Sequence, residues 1–218
     1  MAGLSERQRQ IINASIKIIA EQSIQQLTIK NLSKRIGISE PAIYRHFESK
    51  IDILLAILDS FKETKNSIIN KIAVDNMPAL EKFEAIFTEH LKIFAANPAL
   101  AAVIFSEEIF QNEKRLSETV FSIMKMNQQT HMDIIESAQK NKEIKDGISS
   151  RNLSVMIMGS LRLLVTRWRL SAFAFDLEKE GLELWHSIKG LIIKEAWIRL
   201  SLPNPDPNLA VSEMLAFF

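Results

Sequence analysis

The sequence predicts an all-α protein of about nine helices, in which a small N-terminal three-helix unit precedes a larger C-terminal helical bundle. Three observations lead there. Apolar residues recur at three- and four-residue spacing along most of the chain, which is the period of a helix face and not of a strand. The 218 residues include only 6 Gly and 6 Pro, too few for a turn-rich all-β protein. Capping residues also stand in front of one periodic run after another.

Ser5, with Gln8 three residues on, forms a capping-box pattern that opens a first helix running to about Gln22, with Ile11, Ile12, Ile16 and Ile19 on its apolar face. Thr28 is the N-cap candidate for a short second helix holding Ile29, Leu32 and Ile36, and Gly37 stops it. Ser39 then caps a third short helix, with Pro41 tolerated in its first turn and Phe47 near its end. Ser49 and Asp52 start a helix from about Lys50 to Ala73, ahead of a break at Asp75–Asn76–Met77–Pro78. Further helices are expected from Pro78 to Ala96, from Asn97–Pro98 through Phe110, and from about Asn112 to Lys142, the last stopped by the Asp146–Gly147 turn. Ser149 or Ser150 caps a helix to about Ala172, and a final long one spans roughly Asp176 to Leu200. Alternating Pro203, Pro205 and Pro207 impose an extended tail.

Composition removes several function classes. With no Cys there is no disulfide framework, thiolate metal site or Cys nucleophile, which agrees with a reducing cytoplasm. The N-terminus lacks an apolar run of signal-peptide length, and the longest apolar stretch, Asn152 to Leu161, is closed off by Arg151 and Arg162. A cytoplasmic protein with no membrane segment is expected. Hydrophobic residues make up 47% and charged residues 24%, the balance of a chain that can bury a core. Net charge is only +1, but residues 1–50 carry eight basic against four acidic side chains, leaving −3 for the remainder. A basic head on an acidic body suits phosphate binding.

Residues 28–50 read TIKNLSKRIGISEPAIYRHFESK. They describe a helix, a tight Gly-containing turn and a second short helix whose apolar side faces inward. Leu32, Ile36, Ile38, Ile43 and Phe47 can share one small core with Ile12, Ile16 and Ile19. That sharing sets the angle between the two helices and turns the opposite face of residues 39–46 outward, as a recognition helix is offered to a major groove.

This segment resembles the DNA-binding head of the TetR family of transcriptional regulators. The resemblance rests on the Thr28 cap, the Gly37–Ile38–Ser39 turn, the Tyr44–Arg45–His46–Phe47 stretch, and Lys50 followed by Leu54. It covers roughly residues 5–55; beyond them only the length and the helical body are similar. Ser23 departs from the pattern, since a Gly often ends the first helix there. The resemblance implies a helix-turn-helix DNA-binding domain over residues 1–50, a ligand-binding and dimerisation domain over 51–202, and a Pro-containing tail over 203–218. It also implies roles for particular residues. Thr28 can offer its hydroxyl to a phosphate, Lys30 is counted among the DNA-binding residues, Tyr44 and His46 resemble the family's backbone-contacting pair, and Lys50 its phosphate-binding lysine. Glu40, Pro41, Ala42 and Arg45 lie toward the bases, where Arg pairs with guanine and Ala touches a thymine methyl, and Ser39 is counted among the DNA-binding residues. Glu40 accepts from a cytosine amine or simply favours the positive helix end.

The body has no Gly-rich phosphate loop, H-E-x-x-H or G-x-S-x-G, so neither an enzyme nor a metal or cofactor site is expected. His90, His131 and His186 are isolated and read as structural or surface residues. Phe61, Phe83, Phe87, Phe105, Phe121 and Met124, with Gln128, His131 and Arg162 as polar partners, admit two readings. They are ordinary core, or they line a cavity for a lipophilic effector with one hydrogen-bonding or anionic end. Leu161, Leu164 and Trp168, with Leu184, Trp185, Ile188, Leu191 and Ile192, form apolar stripes on the last two helices and are expected to build a homodimer. The resulting expectation is a ligand-responsive repressor acting on a near-palindromic site in double-stranded DNA. The alternative is a ligand-independent or architectural regulator with a filled core.

Overall fold

A computed structural model describes residues 3–74, 76–105 and 113–194. Among them the chain forms nine helices and one isolated bridge, with no named strand. They are α1 (Glu6–Glu21), α2 (Ile29–Ile36), α3 (Glu40–Tyr44), α4 (Lys50–Val74), α5 (Ala79–Ala96), α6 (Pro98–Ile104), α7 (Lys114–Lys140), α8 (Ser150–Leu170) and α9 (Leu177–Ile192). The all-α expectation holds. The rest of the helix expected through Phe110, residues beyond 194 of the last helix, and the tail over 203–218 lie outside the described residues.

The helix starts follow the side chains that predicted them. The Gln8 amide donates to Ser5 Oγ at 3.2 Å and the Ser5 amide to Gln8 Oε1 at 2.9 Å, so the capping box is closed on both sides. Thr28 Oγ1 accepts from the Asn31 amide at 3.1 Å, Ser149 Oγ from Asn152 at 3.3 Å, and Asp176 Oδ1 from Lys179 at 3.0 Å. Gly37 ends α2 with φ of 76°, and the Gly37 and Ile38 amides both turn back to the Ser33 carbonyl. No atom lies within 4 Å of a Cβ built there, so only the left-handed backbone demands glycine.

Packing divides these helices into two units, Met1–Lys71 with Ile93–Lys125 and Ile72–Lys92 with Met126–Phe218. Helices far along the chain from residues 1–50 complete the core beneath the head. In the first unit Ile11, Ile12, Ile18 and Ile19 of α1 meet Leu32, Ile43 and Phe47, and then Ile53, Leu54, Ile57 and Leu58 of α4. Ala99 and Val103 of α6, which lies against α1, and Leu116, Val120 and Ile123 of α7 join the same cluster. Each fully buried Ile or Leu contributes about 1.5–3 kcal/mol of hydrophobic stabilisation, so this cluster is what holds the short helices in place.

The second unit is built on Trp185. Its ring lies 5.5 Å from Phe83 and 5.2 Å from Phe87, and His131 meets Phe83 edge-on at 5.3 Å. Lys189 is buried and donates to Glu84 Oε2 at 2.8 Å, tying α9 to α5. At Gly181 α9 lies tight against α5: a Cβ there would overlap the Leu91 side chain.

Two helix ends differ from expectation for one shared reason. Lys142, not Gly147, takes the left-handed conformation after α7, with φ of 62°. That turn brings Glu143 back into the fold, where its carboxylate is buried and accepts the Ala79 and Leu80 amides at 3.3 and 2.7 Å. A residue 63 positions away thus caps α5. The last helix, expected to reach Leu200, ends at Ile192. Ile193 is extended and bridges Ile144, the Lys145 amide takes the Ile192 carbonyl at 2.7 Å, and the Lys194 amide takes that of Glu143 at 3.1 Å.

The stripes expected to dimerise are drawn inward. Leu161, Leu164, Trp168, Trp185 and Ile192 are buried in the chain's own core, Leu184 and Ile188 are half-buried, and only Leu191 is exposed, at 73%. Both faces of α8 are apolar, and periodicity does not say which one the chain covers itself. The uncovered face carries Val155, Met156, Leu163 and Leu170, with the open Gly159 between them.

Gly181→Ala is expected to cost about 1–3 kcal/mol in urea unfolding, because Leu91 is packed on all sides. The same change at Gly159, with nothing within 4 Å of its Cβ, should not lower the stability of the monomer.

Candidate nucleic-acid interface

The reading surface stands on buried apolar side chains. Leu32 of α2, Ile43 of α3 and Phe47 just after it point into the first core, so the helical period turns the remaining positions of residues 39–46 outward. Ser39, Glu40, Pro41, Tyr44 and Arg45 are exposed, as are Thr28 and Lys30 at the start of α2. Ala42, His46 and Lys50 are partly covered. All ten residues expected to touch DNA therefore keep solvent-facing surface within a stretch of 23 residues.

The cations of this head fall into two groups. Arg35 grips Glu21 through two bonds of 2.7 Å, which join α2 to α1 and hold the Glu21 carboxylate below its ordinary range. Arg9 donates to the Leu4 carbonyl at 2.8 Å. Among the described residues Lys30 and Arg45 form no ion pair, so their charge remains for an anionic partner. Ser39 makes no side-chain cap bond despite its N-cap position, and its hydroxyl is likewise open to a phosphate. Lys50 also braces the fold. Its Nζ donates to the Ile24 carbonyl at 3.0 Å, and burial pushes its pKa below the ordinary lysine value. Two of its three ammonium protons remain for a phosphate.

Local reading missed two supports. Gln8, placed at the capping box, also donates from Nε2 to the His46 carbonyl at 3.5 Å. Asn31 donates to the Gln26 carbonyl at 2.9 Å, fixing the turn that leads into Thr28. The nine residues expected around an effector divide between the two units. Phe61, Phe105, Phe121 and Met124 belong to the first unit; Phe83, Phe87, Gln128, His131 and Arg162 belong to the second. Phe121 and Met124 are exposed, Phe105 packs on Phe94 at 5.5 Å, and Phe61, Gln128 and Arg162 are partly covered. Phe83, Phe87 and His131 do cluster, about Trp185.

A short exposed helix held over an apolar base, with cations at its flanks, defines a helix-turn-helix DNA-binding protein. The chain belongs to the TetR family: residues 11–57 match the pattern of bacterial regulatory proteins of the tetR family, and residues 61–194 that of the YsiA-like protein C-terminal region. It is 28% identical over 171 residues to the fatty acid metabolism regulator protein of Bacillus subtilis, covering 77% of this chain and 86% of that one. It is 23% identical to the nucleoid occlusion factor SlmA of Vibrio campbellii, over 85% of this chain and 96% of the other. The solved transcriptional regulator FadR of Bacillus subtilis in complex with stearoyl-CoA superposes with a TM-score of 0.69 at 26% identity, covering 84% of this chain and 96% of that one. A ketosteroid transcriptional regulator of Mycobacterium tuberculosis shares the fold with a TM-score of 0.75 at 16% identity, covering 88% of this chain and 97% of that one. The protein is a DNA-binding transcriptional regulator.

Lys50→Ala is expected to weaken binding to all duplexes alike and to lower the salt slope by about one unit, as loss of one phosphate contact does. Arg45→Ala should instead relax preference at one or two base pairs in a selection from random duplexes. Unchanged affinity and slope in Lys50→Ala would remove the phosphate role and leave the lysine only its bond to Ile24.

Proposed function

We propose that this regulator is a homodimeric repressor of a near-palindromic operator, released by a lipophilic effector with an anionic end, of which a long-chain acyl-CoA is the leading candidate. The observation that carries the reading is the likeness, across both the head and the body, to two Bacillus subtilis proteins: the fatty acid metabolism regulator protein, and the transcriptional regulator FadR solved in complex with stearoyl-CoA. The residues of this chain add support. The second unit has an aromatic interior of Phe83, Phe87 and Trp185, against which an acyl chain can lie. Its apolar space lined by Phe83, Ile135, Ile157 and Ile192 holds only about 10 Å³, the room of one water, so side chains must part to admit such a ligand. Release from DNA then follows only if the parted state binds DNA less well, since equal affinity for both states shifts nothing.

The same tight interior favours a second reading, a ligand-independent regulator with a filled core. The likeness to a nucleoid occlusion factor agrees with it. Titration of the duplex-bound protein with stearoyl-CoA separates the two. Under the first reading the thermal midpoint of the free protein rises and the complex dissociates; under the second neither changes.

The dimer interface in this reading is the uncovered face of α8, with Leu191 of α9. Contiguous exposed apolar side chains at helical spacing are what a second copy covers. A two-fold axis there presents two heads to two half-sites. Leu163→Glu is expected to give monomers in sedimentation, with operator binding reduced at least tenfold and helical content retained. A dimer that persists in this variant and in Leu191→Glu would move the interface elsewhere.

A further inference from the structure

The recognition stretch gives way to α4 across a turn of five residues, and the first turn of α4 is held from an unexpected direction. Ser49 Oγ accepts from the Asp52 amide at 3.3 Å and donates to Asp52 Oδ2 at 2.7 Å. The other carboxylate oxygen, Oδ1, accepts from the Arg115 guanidinium at 2.7 Å, from the first turn of α7 and 63 residues further along the chain. Next to Arg115, Leu116 is fully buried in the cluster that also holds Ile43, Phe47, Ile53 and Leu54. Helix α7 therefore meets the base of the head twice, through an apolar contact inside and an ionic one at the surface.

We propose that Arg115 is a positioning residue for DNA recognition: its grip on Asp52 fixes the first turn of α4, and with it the direction in which Tyr44, Arg45, His46 and Lys50 leave the core. The buried packing of Leu116 against the cluster of Phe47, Ile53 and Leu54 sets where the head sits on its core. The surface bond adds a directional restraint on the first turn of α4, because a charge-assisted hydrogen bond has a preferred geometry and apolar burial has none. The Asp52 carboxylate is held in its ionised form, chiefly by Ser49 and then by Arg115, which lowers its pKa. As an exposed ion pair the contact adds little to global stability, with the Arg115 side chain 62% accessible. Its effect is expected in DNA affinity and not in folding. Arg115 also lines an open groove of about 400 Å³ with Leu55, Asp59, Lys62 and Glu118, where the nearby carboxylates of Asp59 and Glu118 are the competing acceptors for its guanidinium.

The test uses the full chain and a duplex that the wild type selects from a random library. Arg115→Gln is expected to bind that duplex about threefold more weakly, with helical content and thermal midpoint unchanged and with the wild-type salt slope. Arg115→Lys should fall between the two, keeping the charge without the planar fork. Asp52→Asn combined with Arg115→Gln should be no weaker than the weaker single variant, because both remove one contact. Three results would overturn the proposal: full affinity in Arg115→Gln, a salt slope lowered by about one unit (a direct phosphate contact instead), or additive losses in the double variant. If the wild type selects no duplex, the DNA-reading role of the head itself fails and the positioning role falls with it.

Discussion

Everything the head does depends on one shared apolar cluster. Helices α2 and α3 have eight and five residues, far below the length at which a helix persists in water on its own. They exist because Leu32, Ile43 and Phe47 are buried in one cluster with Ile11 and Ile12 of α1 and Ile53 and Leu54 of α4. Ala99 and Val103 of α6 and Leu116 and Val120 of α7 belong to the same cluster. The reading surface is the outer face of that arrangement. A recognition helix of five residues has little rigidity of its own, and its orientation is that of the core under it. In this protein the core includes α6 and α7, which lie far along the chain from the recognition helix, so a change in either is felt by the head directly through packing.

Charge is distributed by the same logic. Arg35 and Glu21 neutralise each other where α1 and α2 meet, and Arg115 and Asp52 do so where α4 and α7 meet. Among the described residues, Lys30 and Arg45 on the face of residues 28–50 keep their charge outside any ion pair. A net charge of +1 conceals this, because the excess that matters to a phosphate backbone is local. The body carries a second asymmetry in its apolar residues. One face of α8 is consumed by the chain's own core, while Val155, Met156, Leu163 and Leu170 remain outside it.

Much of the head was legible because its signals are local. Ser5 with Gln8, Thr28, Gly37 and Ser149 each act on partners within five residues, and each sits where the pattern put it. What was not legible depends on distant partners. Glu143 caps α5 from 63 residues away, and the chain turns back to it through a left-handed Lys142, ahead of the Asp146–Gly147 turn expected to stop the helix. The 143–145 segment takes the carbonyl ends of α9 and stops it at Ile192. A helix that is apolar on two sides does not declare its inner face, so periodicity alone does not show that Leu161, Trp168 and Trp185 are buried within the chain itself. Likewise, Phe121 and Met124 had the composition of a cavity lining but stand in solvent.

The central claim is that Arg45 and its neighbours read base edges in the major groove because the shared core aims them there. Methylation interference with the full chain, on the duplex it selects, tests this most directly. The account predicts that methyl groups at guanine N7 block binding in two half-sites about one helical turn apart, and that one blocked guanine per half-site becomes indifferent in Arg45→Ala. Interference confined to adenine N3 in the minor groove, or a guanine pattern that Arg45→Ala leaves intact, would contradict it.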